Sequence, residues 1–440
     1  MKKHVALTAL LLLLTVSPLS AQDEERMTLL VDAETESYFR HIAEPLLKHM
    51  DLHSEEIRYH IVLSDQINAF VASARDVYFM TGLINKADNP DEVLGVLAHE
   101  LGHMQGRHLF RAAVMQDEYK IPAILAGVLG AGAVIAGAPQ AGGAILVGAQ
   151  AAGVSNLLRF TRSQEQQADQ IGLDTLLAAG YTPIGMESFF KKLRTDEVLY
   201  TKTPPSYLLT HPSPAQRQDF LANAVQQAEG KNLTHLPQAP FDRIKAKLYA
   251  LSETPARVLR KYQHDKSFAG RYAVAIANAR LAKFDDAMQD VNALMKEQPD
   301  DPYLYELKGQ ILQDIGSLDE ALPLLEKALS YEPDMPLLRF EVGELLLQQD
   351  KVDEALPILQ TVRNSMPDWA RLHYLLGVAY GKKGLLSLSH LSLAESSLLQ
   401  GLRDDAKYHV QLAEHYLDKK DTAAAEKLAL MKEALESEKN

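Results

Sequence analysis

The sequence predicts a mostly α-helical fold in two parts: a helical domain that includes a small β-sheet, then an α-solenoid of repeated helix pairs. Three observations predict it. An apolar run, Val93 to Ala98, leads into His99-Glu100-Leu101-Gly102-His103. Short β-branched or aromatic runs precede that segment. The C-terminal half repeats itself with a period of 34 residues. At 440 residues the chain has room for two domains or more.

At the N-terminus, Lys2 and Lys3 form a positive region, Val5 to Val16 an apolar one, and Pro18-Leu19-Ser20-Ala21 ends in small residues. This reads as a cleavable secretory signal, residues 1–21. The apolar run is short for a membrane span. Removing it leaves 43 basic residues against 58 acidic ones, a formal charge near −15. An acidic chain without a basic cluster excludes nucleic acid as partner. There is no cysteine, so disulfides, a cysteine nucleophile and an N-terminal lipoprotein anchor are excluded.

From about Asp32 to His49, Tyr38, Ile42, Leu46 and Leu47 recur at helical spacing. Ile57 to Val62, Ala69 to Ala72 and Val77 to Met80 read as short strands of one sheet. Such a strand can pair with an extended substrate backbone, or serve structure alone.

The next helix has its start signals in place. Asn89 suits the N-cap, Pro90 the first position, and Glu92 falls at N3 as in a capping box. His99 and His103, four apart, lie on one face, one turn apart. Two imidazoles so placed can bind one tetrahedral Zn²⁺, and Glu100 can reach a water at the metal without being a ligand. A third ligand is expected, and Ser163-Gln164-Glu165-Gln166-Gln167-Ala168-Asp169 offers one. Ser163 can cap a helix that runs on to stop near Gly180. Glu165 and Asp169, four apart, face the same way. Glu165 can ligate while Asp169 accepts the ring N–H of a ligand histidine. His108, five beyond His103, turns off the ligand face of a straight helix and reads as a surface or supporting residue rather than a third ligand.

These motifs, with Asn68-Ala69-Phe70 upstream and Thr210-His211-Pro212-Ser213-Pro214 downstream, resemble the gluzincin peptidases of the HtpX and CAAX-prenyl-protease type. With repeats at the C-terminus, the chain is similar to the BepA-like family, periplasmic beta-barrel assembly-enhancing proteases of Gram-negative bacteria. The resemblance implies one zinc per chain held by His99, His103 and Glu165, with Glu100 as catalytic base and Asp169 as accessory acid. It also points to His211, on a proline-rich loop, as a fourth ligand that restrains the enzyme; a substrate contact or a surface role are the alternatives. Arg217 is a candidate oxyanion contact in the same loop. One departure is the stretch from Val71 to Asp76, where other members have a Gly- and Pro-containing turn.

Ile121 to Leu158 carries no charged residue and is rich in Gly and Ala. Pro139-Gln140 divides it into pieces of marginal length for a membrane. Two closely packed small-residue helices or a flap over the cleft are expected, with contact at the membrane periphery as the alternative.

Pro299, Pro333 and Pro367 are 34 apart, as are Gly309, Gly343 and Gly377, and Ala287, Ala321 and Ala355. A small residue at position 8, Ala at 20 and Pro at 32 make the tetratricopeptide pattern. Four to five units fit between Phe268 and Leu435, and the one from Ala370 to Leu402 departs, with Ser389 in the alanine position.

The expected organisation is therefore a signal (1–21), a zinc metallopeptidase domain (22–250) and a repeat solenoid (265–437). The family likeness implies degradation of misassembled outer-membrane proteins in the periplasm and help in their assembly, with the solenoid binding clients and the barrel assembly machinery. A chaperone or adaptor with secondary proteolysis, and a membrane-bound peptidase, are the alternative functions.

Overall fold

The computed structural model describes residues 28–53, 56–108, 162–199, 207, 210, 211, 215–418 and 421–437. The signal-like segment and the Gly/Ala-rich stretch from Ile121 to Leu158 lie outside them. Among the described residues no helix is long and apolar enough to cross a membrane. The described residues up to Ala273 pack as one compact unit and those from Val274 onward as a second.

The first unit runs β1 (Thr28–Leu30), α1 (Ala33–Leu47), β2 (Arg58–Leu63), β3 (Ala69–Val71), β4 (Asp76–Met80), α2 (Thr81–Lys86), α3 (Pro90–Gln105), α4 (Arg162–Ala178), α5 (Ile184–Leu199), α6 (Ala215–Ala228), α7 (Gln238–Ser252) and α8 (Pro255–Tyr262). The sheet order is β1-β2-β4-β3. β2 and β4 are parallel, with Arg58 opposite Asp76, and the other two pairs are antiparallel. The three expected strands form. β1 was not expected, because three residues are too few to display alternation. Asp76 fixes the β2–β4 register. It accepts from Arg58 Nε at 2.8 Å and Ser73 Oγ at 2.6 Å, and lies 2.8 Å from His60 Nε2. The turn where the sequence departs from its likeness is thus held by ion pairing instead of Gly and Pro.

α3 begins as its residues dictate. Asn89 Oδ1 accepts from the Glu92 N–H at 3.1 Å. The Glu92 carboxylate turns back to the Asp88 N–H at 2.8 Å, one residue before the cap, and is held by Lys192 of α5 at 2.7 Å. Every residue from Pro90 to Met104 is buried, so α3 is covered on all sides. It meets α4 backbone to backbone. A Cβ on Gly102 would lie 2.6 Å from the Ala168 carbonyl oxygen, and one on Gly172 would lie 2.9 Å from that of Ala98. Ser163 is inside α4 rather than its cap. Gly180 then turns the chain at φ +78°.

The repeats follow as α9 (Phe268–Arg280), α10 (Phe284–Glu297), α11 (Pro302–Ile315), α12 (Leu318–Tyr331), α13 (Pro336–Gln348), α14 (Val352–Ser365), α15 (Ala370–Lys382), α16 (Leu386–Leu399), α17 (Arg403–His415) and α18 (Thr422–Ser437). Ala287, Ala321 and Ala355 are fully buried. A Cβ on Gly309 or Gly343 would lie 2.8 Å from Leu325 or Leu359, so the period records helix contact. The departing unit forms the same helix pair. Ser389 Oγ donates to the Gly377 carbonyl at 2.7 Å, Ser387 to Ala413 at 3.0 Å and Ser396 to Ala370 at 2.9 Å. Each buried hydroxyl is satisfied on a neighbouring helix, which removes most of the cost of burying it.

Candidate metal centre

Close contact of α3 and α4 brings His99, His103, Glu165 and Asp169 together, and α6 with the turn at His211 closes the other side. One ligand atom from each of His99, His103, Glu165 and His211 lies within 4.8 Å of the others, and all four residues are buried. His99 Nε2 is 3.0 Å from His103 Nε2 and 3.3 Å from His211 Nδ1. Glu165 Oε1 is 3.3 Å from His103 Nε2 and 3.1 Å from His211 Nδ1.

The chemistry of this donor set fits a metal ion. His99 Nδ1 lies 2.9 Å from Asp169 Oδ1. A carboxylate only accepts, so Nδ1 carries the proton and Nε2 presents a lone pair. That lone pair faces two further imidazole nitrogens and a carboxylate in a site closed to water. A shared cation relieves the crowding of acceptors. Three imidazoles and one carboxylate can hold one metal ion.

Arg217, the third residue of α6 rather than part of a loop, is buried against both acids. Its Nε donates to Asp169 Oδ2 and its Nη1 to Glu165 Oε2, each at 2.6 Å. Burial opposes ionisation of Asp169, but the Arg217 charge outweighs it and holds the carboxyl below its usual range. Glu165 is held well below its range against the same burial cost, by the charge of His211 and by its close contacts with His103, His211 and His99. Burial would also lower His99, yet Asp169 and Glu165 raise it. His103 is pushed well down by burial.

Glu100 stands apart from the ligand atoms, with Oε1 3.5 Å from His211 Nε2. Burial raises its carboxyl to about 7; the charge of His211 opposes this and that of Glu165 adds to it. A carboxyl in that range exchanges protons near neutral pH. Tyr207 donates to Glu100 Oε1 at 3.2 Å and stacks on His211 with ring centroids 4.4 Å apart. Burial and the Glu100 charge push its hydroxyl well above the usual range, so it stays a donor.

Sequence reasoning missed Tyr207. The available signal was spacing: Tyr207 precedes His211 by four, and the His211 N–H donates to the Tyr207 carbonyl at 2.8 Å, one helical turn. Of the two roles open to His108, the structure favours the supporting one: it is fully buried, with Nδ1 2.8 Å from His103 Nδ1. It gets there because α3 ends at Gln105 and the chain folds back.

Residues 33–225 match the family Peptidase family M48, and residues 314–378 match a tetratricopeptide repeat. The chain is 32% identical over 269 residues to the beta-barrel assembly-enhancing protease of Yersinia pestis, covering 59% of this chain and 54% of that protein. It is 28% identical over 288 residues to that of Escherichia coli K12, covering 63% and 58%. Mitochondrial metalloendopeptidase OMA1 of Arabidopsis thaliana is 32% identical over 174 residues, 39% of this chain and 33% of that one. The chain therefore spans little more than half the length of the beta-barrel assembly-enhancing relatives. The resemblance carried by the motifs holds: residues 33–225 are similar to peptidase family M48, residues 314–378 to tetratricopeptide repeats, and the chain is similar to beta-barrel assembly-enhancing proteases.

Proposed function

We propose that the chain is a zinc metalloendopeptidase of the periplasm that degrades misassembled outer-membrane proteins and assists their assembly. The observation that carries the reading is the buried cluster of His99, His103, Glu165 and His211 beside a carboxyl, Glu100, poised near neutrality. The borderline nitrogen and oxygen donors suit zinc. When bound, zinc supplies Lewis acidity for peptide-bond hydrolysis. Glu100 takes the proton of the attacking water and delivers it to the leaving amine. Asp169 orients His99, and Arg217 holds Asp169 and Glu165 in place. An oxyanion contact by Arg217 would share its guanidinium with both acids. The signal at residues 1–21, the domain bounds 22–250 and 265–437, and docking of clients or of the barrel assembly machinery on the repeats belong to the same proposal.

Metal analysis with a casein-type degradation assay tests it. Glu100→Gln is expected to keep one zinc per chain and lose about 10²–10⁴-fold in cleavage. Near wild-type cleavage by the metal-loaded variant would sink the mechanism. Client binding without any proteolysis in the wild type would favour the chaperone alternative. His211 is the fourth donor, and we assign it to restraining the resting enzyme. At equal zinc occupancy His211→Ala then raises basal cleavage; a lower rate would make it a substrate contact, and an unchanged rate a bystander.

A further inference from the structure

The bend after α3 has a purpose that the metal reading does not use. α3 ends at Gln105, and Arg107 adopts φ +52°, the left-handed region that a residue with a side chain avoids. Such a conformation costs on the order of 1–3 kcal/mol and persists only where surrounding contacts over-determine it. Here it swings His108 back over the helix end. A Cβ on Gly106 would stand 2.4 Å from His108 Nε2, so the ring occupies space that glycine leaves open. The ring is fully buried and meets that of His103 edge-on, centroids 4.9 Å apart.

We propose that His108 and Gln167 form a positioning pair that fixes the tautomer of His103 and so keeps its Nε2 available as a metal ligand. The proton positions follow from donors and acceptors. His108 Nε2 lies 3.2 Å from Gln167 Oε1. An amide oxygen only accepts, so Nε2 carries the single proton of a neutral imidazole. His108 Nδ1 is then an acceptor. The proton in the 2.8 Å contact between the two Nδ1 atoms therefore belongs to His103. His103 Nε2 is left with its lone pair, facing Glu165 Oε1 and His99 Nε2. The two ligand histidines are thus oriented differently. His99 leans on a carboxylate, Asp169, whereas His103 leans on a second imidazole backed by an amide. Reversing the amide–imidazole pair would move the proton of His103 onto its ligand nitrogen and oppose the metal.

The inference rests on the metal reading above, and its test separates the two. Zinc affinity of the full chain is measured by competition with a chromophoric chelator, and Co²⁺ uptake by visible absorption. The wild type should take one equivalent. His108→Leu should bind zinc about 10–100-fold more weakly, the usual penalty for losing a partner behind a ligand histidine. His108→Asn, which returns an oxygen acceptor near the Nδ1 position, should recover most of that loss and restore the wild-type Co²⁺ bands. Gln167 is exposed, so Gln167→Lys, which replaces the acceptor by a donor, should spare the fold and weaken zinc by about 10-fold. That variant decides if His108→Leu does not fold. Unchanged affinity in folded His108→Leu or in Gln167→Lys would overturn the inference, as would equal loss in the Leu and Asn variants, which would mark a packing role. Failure of the wild type to bind metal would fell the metal reading itself, before any substitution is compared.

Discussion

The two units bury polar groups in opposite ways. In the first, seven ionisable side chains meet at one point: His99, Glu100, His103, Glu165, Asp169, His211 and Arg217 are all at most 2% exposed. In the second, Ser387, Ser389 and Ser396 each donate to a backbone carbonyl across a helix seam, and ion pairs such as Lys382–Asp350 lie toward solvent. Buried charges bring little net stability, because desolvation offsets their attraction. Their concentration in one unit is explained by chemistry, while the other unit draws its stability from the same apolar contact made repeatedly.

Removing one member of the buried set should therefore be costly. Arg217→Met leaves Asp169 and Glu165 without their guanidinium and is expected to destabilise the first unit by about 3–5 kcal/mol with metal chelated. Added metal should recover part of this by neutralising Glu165. The single tryptophan, Trp369, is buried against Phe340 in the second unit, so its fluorescence follows the repeats, whereas circular dichroism follows both units. A lowered denaturant midpoint by dichroism with an unmoved Trp369 transition is the expected pattern. No loss by dichroism would break the contrast between the units.

The same contrast decided what the sequence could reveal. The repeats were legible to the residue because Ala321 and Gly343 are fixed by contacts that recur every 34 positions. His99 and His103 were legible because a helix sets their spacing locally. Glu165 and Asp169 could be paired with each other from spacing, but only packing through Gly102 and Gly172 joins them to α3. The choice between a surface and a supporting role for His108 stayed open because the left-handed turn at Arg107 falls on a residue type that does not announce one. Tyr207 carries no motif, and its role rests on contacts with residues more than 100 positions away. Local periodicity survives in a sequence; convergence of distant segments does not.

The smaller prediction concerns a partly buried ion pair of the repeats. Glu395 of α16 lies 3.1 Å from His373 Nδ1 and also pairs with Lys427 of α18. Burial opposes its ionisation, but the hydrogen bonds and charges of His373 and Lys427 outweigh this and hold the carboxyl at about 2, below its ordinary 4.5. A depressed carboxyl stabilises the fold above its unfolded value, and that contribution is lost as pH falls toward the folded one. The carboxylate is about a third exposed, which discounts the pair. Glu395→Gln should thus cost about 1–2 kcal/mol at neutral pH, read from the Trp369 transition. The gap between variant and wild type should hold down to about pH 4.5 and close between there and about pH 2. A gap that persists unchanged through that window would assign the loss to packing of the side chain. A neutral-pH loss as large as that of Arg217→Met would mean that the repeats, too, depend on a concentrated charge, and the contrast drawn between the units would fail.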